Sequence, residues 1–442
     1  MEIVGLSEAS VRKISEIKDE ESWVLDYRLN GYRSFVSQDM PKFGPEINLN
    51  FDDVIYYKSN DADKKLENNW NNILKPVVDE LDSVGVLESE KHFGGMGVQY
   101  ESEVIYHNMI DELEKKHVIF TSIEDAIKRY PDLVKKYFGK IVSFTENKFA
   151  ALNAAVFSGG SFIYVPKNTV LDRPLQSYFR INSKNMGQFE RTLIIVDDNS
   201  SLHYVEGCTA PSYSESSLHA AIVEIYVGKN AKCRYSTVQN WASNVYNLVT
   251  KRAVVDDNGI MEWIDGNIGS KVTMKYPCCV LKGDNSRGTC ITISVAKSNQ
   301  EQDSGARMIH IGKNTKSNII SKSIAGSGGN ATYRGKVDIK KSAINSEAMV
   351  KCDSLILDDK SMSDTIPVNA VGNISSNIEH EATVSKISDD VLFYLMSRGI
   401  PEERATELIV LGFIDEFKEE LPMEYAVELN RLISYEMEGS VG

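Results

Sequence analysis

From residue 149 to about residue 383, hydrophobic and polar positions alternate in short runs rich in β-branched and aromatic residues, as in 192–196, 220–227 and 336–339. A period of two predicts strands. Polar corners separate the runs: Asp197-Asp198-Asn199, Gly228-Lys229-Asn230, Asp256-Asp257-Asn258-Gly259, Gly283-Asp284-Asn285 and Gly312-Lys313-Asn314. Asn, Asp and Gly tolerate the left-handed backbone of a tight corner. The asparagines Asn199, Asn230, Asn258, Asn285, Asn314 and Asn345 recur at nearly even intervals. A repeat of this size predicts stacked coils, a mainly β parallel solenoid.

The flanks read differently. Ser7 opens an amphipathic run to about Lys18, and 61–85 and 103–116 are predicted helical. Ser122 to Asp125 resembles a capping box. Residues 36–60, with Pro41, Gly44 and Pro45, read as an extended loop. After Ser388, helices are expected over 389–398, 401–411 and 422–437, with Pro401 and Pro422 in first turns and Gly399, Gly412 and Gly439 at the ends. The expected division is a mixed helical domain at 1–148, a solenoid at 149–384 and a helical domain at 385–442 that helps to cover it.

The chain of 442 residues carries a net charge of −14, so phosphate backbones and anionic membranes are poor partners. No apolar run approaches the ~20 residues of a membrane span, and the N-terminus lacks a secretory pattern, which points to the cytoplasm. Six cysteines without a CxxC pair predict reduced thiols and neither a structural zinc site nor a ferredoxin-type site.

Two constellations carry chemistry. Cys352 and Glu381 lie about one period apart. Coils stack at ~4.8 Å, so a thiol and a carboxylate one period apart can lie about 5 Å from each other on one face. Glu379 and His380 add hard and borderline ligands to that thiol. The plainer reading makes Cys352 a small buried hydrophobe and the acidic cluster a solvated junction. Upstream, Arg180, Cys208 and Gln239 follow one another at close to the same period, with Asn182 and Trp241 two positions further along their strands. Together they form a polar stripe, either self-satisfying core or a conduit. Cys208 and Cys352 lie about five periods apart, or roughly 24 Å. Cys233, Cys278, Cys279 and Cys290 read as packing, and His310 as a satisfied strand histidine. The glycine-rich stretch 326–329 lacks the strand-to-helix context of a phosphate loop. With no Walker motif or nucleophile elbow, ATP hydrolysis by this chain alone is not expected.

At these residues the chain resembles the SufB/SufD family of the SUF iron–sulfur cluster assembly system, nearly end to end. The telling stretches include YFGKIV (137–142), FAALNAAVFSGGSFIYVPK (149–167), YFRIN (178–182), EGCTAP (206–211), VQNW (238–241), YRGKV (333–337), CDSLI (352–356), HEATVSKI (380–387) and FYLMSRG (393–399). The resemblance implies a right-handed parallel β-helix between helical domains. It implies a scaffold rather than an enzyme, one that takes persulfide sulfur and iron, builds a labile cluster and passes it to apo-proteins. A cysteine desulfurase or persulfide carrier would supply sulfur to Cys208, and Arg180, Asn182, Gln239 and Trp241 would pass it on. Cys352 and Glu381, with Glu379 and His380, would hold the transient iron–sulfur cluster. The C-terminal helices would dock the ABC-type ATPase SufC through Phe393, Tyr394, Met396 and Arg398. The solenoid end would pair with the paralogue SufD or a second copy, and the complex leaves room for a reduced flavin. The alternatives are a SufD-like structural subunit without a cluster site, and a polysaccharide-cleaving solenoid enzyme, which lacks the usual secretion signal here.

Overall fold

A computed structural model describes residues 1–59, 67–73, 75–83, 87, 90–210 and 216–437. Its centre is a parallel β-solenoid of about eight turns. One wall is built, in spatial order, from Leu175–Arg180, Ser201–Thr209, Lys232–Trp241, Ile260–Gly269, Arg287–Ala296, Lys316–Ala325, Glu347–Ile356 and Asn377–Lys386. The facing wall includes Arg191–Val196, Ile222–Val227, Val245–Val255, Val272–Lys275 with Cys278–Leu281, Glu301–His310, Asn330–Ile339 and Met362–Val371. Successive strands alternate between the walls.

The asparagine corners set this geometry. Asn199, Asn230, Asn258, Asn285, Asn314 and Asn345 all have positive φ, between 54° and 59°. Their amides stack from coil to coil: Asn230 donates to Asn199 at 3.0 Å, Asn258 to Asn230 at 3.1 Å and Asn285 to Asn258 at 3.1 Å. An asparagine satisfies both demands of the corner, left-handed backbone and an amide that donates to one neighbouring coil and accepts from the other.

The two ends differ. At the N-terminal end antiparallel strands Glu103–Met109 and Ile119–Ser122 terminate the walls, which blunts the edges. At the other end Met362–Val371 and Asn377–Lys386 are terminal strands with exposed Ile366, Val368 and Val384. The C-terminal helices Glu402–Phe413 and Met423–Met437 lie on the outer face of the first wall. Val410, Ile414, Phe417, Leu421, Tyr425 and Leu429 cover Val205, Val238, Ile264, Ile293, Ile324 and Leu355.

Several expectations needed correction. The segment Lys148–Val156 is a helix, although strands were expected from residue 149. Asn147 caps it by accepting from Phe149 and Ala150, and Phe149 to Val156 are all buried. An alanine-rich run that is apolar on every side carries no periodicity with which to tell helix from strand. Glu103–Met109 is a strand rather than the start of a helix, paired with Gly95–Tyr100; only Asp111–Lys115 is helical there. The helix Ser22–Ser37 was not anticipated. Of the run 61–85, Lys75–Ser83 is helical and 61–66 lie outside the described residues, as does Gly439. Gly412 lies within Glu402–Phe413, not at its end. The Ser122 cap and the three C-terminal helices are where the sequence put them, within a residue or two.

Candidate functional site

Along the first wall the usual inside-out rule reverses halfway down the strands from Ser201–Thr209 to Arg287–Ala296. The early inward positions are apolar: Leu202, Tyr204, Cys233, Tyr235, Met261, Trp263, Cys290, Ile319 and Val350 form one core. The later inward positions are polar. One column runs Glu206, Thr237, Asp265, Thr292, Ser321, Cys352. The column two residues further on runs Cys208, Gln239, Asn267, Ser294, Ser323, Ser354. All of these side chains are buried, while the outward positions Val205, Val238, Ile264, Ile291 and Ile293 beside them are apolar and lie under the C-terminal helices; further along, Lys322 and Asp353 keep the outward face polar. The result is a two-column polar lane inside the solenoid, with Cys208 near one end and Cys352 near the other. They share a wall and an inward face, five coils apart.

Hydrogen bonds run along the lane. The Cys208 thiol donates to Glu206 Oε1 at 3.6 Å, and Gln239 Nε2 lies 3.8 Å from the sulfur. Lys275 from the facing wall donates to Gln239 at 2.9 Å and pairs with Asp265 at 2.8 Å. Lys251 shares that carboxylate at 3.3 Å. Asn247 donates to Gln239 at 2.8 Å and takes up His219 at 2.7 Å, and His219 in turn meets Glu190. Further on, Ser294 bonds Ser304 at 2.6 Å and Thr292 donates to Ser321 at 3.0 Å. Thr237 Oγ1, Asn267 Oδ1, Gln302 Oε1 and Trp241 Nε1 are buried without partners among the described residues. Unmet polar atoms of this kind suit a passage that takes up a polar guest.

Electrostatics set the thiols apart from free cysteine. Burial pushes Cys208 far up, and Glu206 and Glu190 add to this while Lys251 and Lys275 oppose it. Burial likewise lowers Lys275 to about 8 against the pull of Asp265. Burial pushes Cys352 up to about 12, with Tyr333 acting the other way.

At the open end, Cys352 lies beside His380, with Sγ 3.8 Å from Nε2, and Asn369 Nδ2 lies 3.2 Å from the other ring nitrogen. The expected neighbour Glu381 is not there. Cys352 pairs with Ala382, and Glu381 pairs with Lys351 on the outer face, as Glu379 does with Met349. This coil is one residue longer than the interval from Cys352 to Glu381, and a one-residue slip turns a strand side chain to the opposite face. The same slip removes Arg180 from the stripe. Phe179 pairs with Cys208, while Arg180 pairs with Thr209 and donates to its hydroxyl at 2.9 Å. Asn182 follows Arg180 out of the lane and bonds Tyr100. Gln239 and Trp241 do share the inward face with Cys208. No group of three or more His, Cys, Asp or Glu side chains is arranged to hold a metal among the described residues.

Residues 179–413 match the model of the SUF system FeS cluster assembly SufBD core domain, and residues 20–177 match that of the SufBD protein N-terminal region. This chain belongs to the SufBD family. It is 54% identical over 440 residues to the iron–sulfur cluster assembly protein SufB of Bacillus subtilis, covering 99% of this chain and 94% of that one. It is 56% identical, with the same coverage, to an iron–sulfur cluster assembly SufBD family protein of Staphylococcus aureus strain USA300. Family membership makes iron–sulfur cluster assembly the setting for the lane.

Sequence reasoning missed Glu206, Thr237, Asp265, Thr292, Ser321 and the facing Lys251, Lys275 and Asn247. A signal for the first five was present. They stand seven residues after successive corner asparagines, as Cys352 does, and the Cys208 column stands nine after.

Proposed function

We propose that this SufBD chain is the scaffold on which the cluster is built, with sulfur received at Cys208 and iron held at Cys352. The observation that carries the reading is the polar lane that links two buried sulfurs on one inward face. Cys208 accepts sulfane sulfur by persulfide exchange from a carrier. Gln239, Trp241 and the lane hydroxyls pass the sulfur on. Cys352 and His380 supply one soft and one borderline ligand. A single chain then leaves the cluster under-ligated, which suits cargo that must depart. Glu379 and Glu381 face outward at the same open end, where a docked SufD paralogue or second copy can bring them and its own groups to the iron. Arg180 and Asn182 act outside the lane, near the strand end that leads to Cys208. The exposed Phe393, Tyr394 and Met396, with Arg398 beside them, form the docking face for the SufC ATPase, whose dimerisation pulls on helices seated along the first wall. The protein works in the cytoplasm as a non-enzymatic assembly platform. Anaerobic co-purification with the cognate ATPase, followed by iron and sulfide analysis, tests this. Cys352→Ala is expected to retain the fold and lose the cluster. Undiminished cluster loading in that variant refutes the site, and normal persulfide accumulation in Cys208→Ala refutes the sulfur acceptor.

A further inference from the structure

The C-terminal helical domain touches the first wall directly behind the lane. Between the two lane columns an outward column runs Gly207, Val238, Gly266, Ile293, Lys322. Gly207 separates Glu206 from Cys208, and Gly266 separates Asp265 from Asn267. At both glycines an aromatic side chain of the helical domain takes the room that a side chain would fill. A Cβ added at Gly207 would lie 3.1 Å from the Tyr425 hydroxyl, and one added at Gly266 would lie 3.5 Å from the Phe417 ring. Lys322 donates to the Phe413 carbonyl at 2.9 Å and pairs with Glu416 at 3.3 Å. The closest of these contacts lies behind Cys208. Gln176, on the neighbouring strand, donates to the Tyr425 hydroxyl at 2.7 Å, and both side chains are buried. Phe93 meets the Tyr425 ring edge-on at 6.5 Å.

Cys208 is the penultimate residue of Ser201–Thr209 and is 2% exposed, so a carrier reaches its sulfur only when the strand end opens. Strand ends open more readily than strand centres, and a glycine within a strand weakens it further. Gly207 has no side chain to pack, so the Tyr178 ring and the Tyr425 hydroxyl hold this end from outside. We propose that Tyr425 is a positioning residue that gates Cys208. Seated on Gly207 and tied to Gln176, it keeps the strand end closed. Displacing the C-terminal helices frees Gly207 to Thr209 and opens the thiol to the sulfane-sulfur carrier. The inference rests on the reading of Cys208 as the sulfur acceptor and adds its timing: whatever moves these helices also admits sulfur.

The test is the rate at which N-ethylmaleimide labels each cysteine of the full chain under native conditions, read by peptide mass spectrometry. Cys233 is the internal reference: it is fully buried in the apolar core, on the adjacent strand of the same wall. In the unaltered protein both thiols are expected to react slowly. Tyr425→Ala should speed labelling of Cys208 by about tenfold or more and leave Cys233 unchanged. Tyr425→Phe keeps the ring and loses the bond to Gln176, for a gain of roughly 2–10-fold at Cys208; it decides the matter if Tyr425→Ala folds poorly. Gly207→Ala keeps both partners but puts a methyl 2.8 Å from the Tyr178 ring and 3.1 Å from the Tyr425 hydroxyl, and should open Cys208 in the same way. A merely structural role for Tyr425 would raise both rates together, and that result overturns the proposal. So does an unchanged Cys208 rate in the folded variants, or rapid labelling of Cys208 in the unaltered protein. Labelling reads access alone; whether Cys208 accepts sulfur is decided separately by persulfide accumulation, so the two readings fail independently.

Discussion

The lane can be blocked without dismantling the solenoid. On the strand Arg287–Ala296 its two members are Thr292 and Ser294, midway between the cysteines. Thr292→Val is isosteric and Ser294→Ala removes one oxygen, so neither opens a cavity of consequence. The pair forfeits two hydrogen bonds, to Ser321 at 3.0 Å and to Ser304 at 2.6 Å. At roughly 0.5–1.5 kcal/mol each, that is about 1–3 kcal/mol of stability. Adding Ser304→Ala and Ser321→Ala removes the orphaned hydroxyls and should restore most of it, because deleting both partners is close to neutral. The effect on transport is larger in kind. Polar or anionic sulfur must then cross a coil with no polar group on the first wall. An uncompensated desolvation of about 1–3 kcal/mol slows passage by roughly 5–160-fold. The assay compares anaerobic cluster formation fed by a cysteine desulfurase and persulfide carrier with formation fed by inorganic sulfide, which reaches the open end directly. The variant is expected to fail with the first source and succeed with the second, at an unfolding midpoint in urea close to that of the unaltered protein. Equal rates from the carrier in both proteins would show that sulfur does not travel by the lane.

Other expectations follow from the same geometry. Asn230→Ala loses two amide bonds in the corner ladder and puts at φ 54° a residue without asparagine's tolerance of left-handed backbone, for a loss of about 2–4 kcal/mol; Asn230→Gly should lose less, and urea unfolding in which alanine matches asparagine would remove the ladder's importance. Glu224→Gln leaves Arg191 charged in a fully buried pair and weakens acceptance from the backbone of Gly139, Ile141 and Val142; a loss of about 3–5 kcal/mol is expected, readable as a lower melting temperature. Burial depresses His107, His203 and His310 each to about 4 from an ordinary value of 6.5. The unfolded chain therefore binds more protons than the native one between those limits, and stability is full above pH 6.5 and lost as pH falls toward 4. The slope reaches up to about 4 kcal/mol per pH unit for three imidazoles. His203→Gln should remove about a third of it in urea midpoints measured from pH 7 to 5.

The sequence by itself determined the solenoid, its corners and the C-terminal helices. These depend on local chemistry: an asparagine's tolerance of left-handed backbone, a two-residue alternation, a capping signal at Ser122, and proline and glycine punctuation after Ser388. It also determined that Cys208 and Gln239 share a face, because the interval between them is that coil's own length. What only the tertiary structure decided is the register at Cys352 and at Arg180. Coil length varies by a few residues, and a strand reverses its side chains with every one. Counting one fixed period from Cys352 therefore reached Glu381 on the outer face, while the fold brought His380 to the thiol. The reversal of polarity along the first wall was likewise hidden, since a polar side chain next to an apolar one reads as outward until the C-terminal helices are seen to cover the apolar face. Alternation reports that two faces differ; which of them is inside depends on what packs against each.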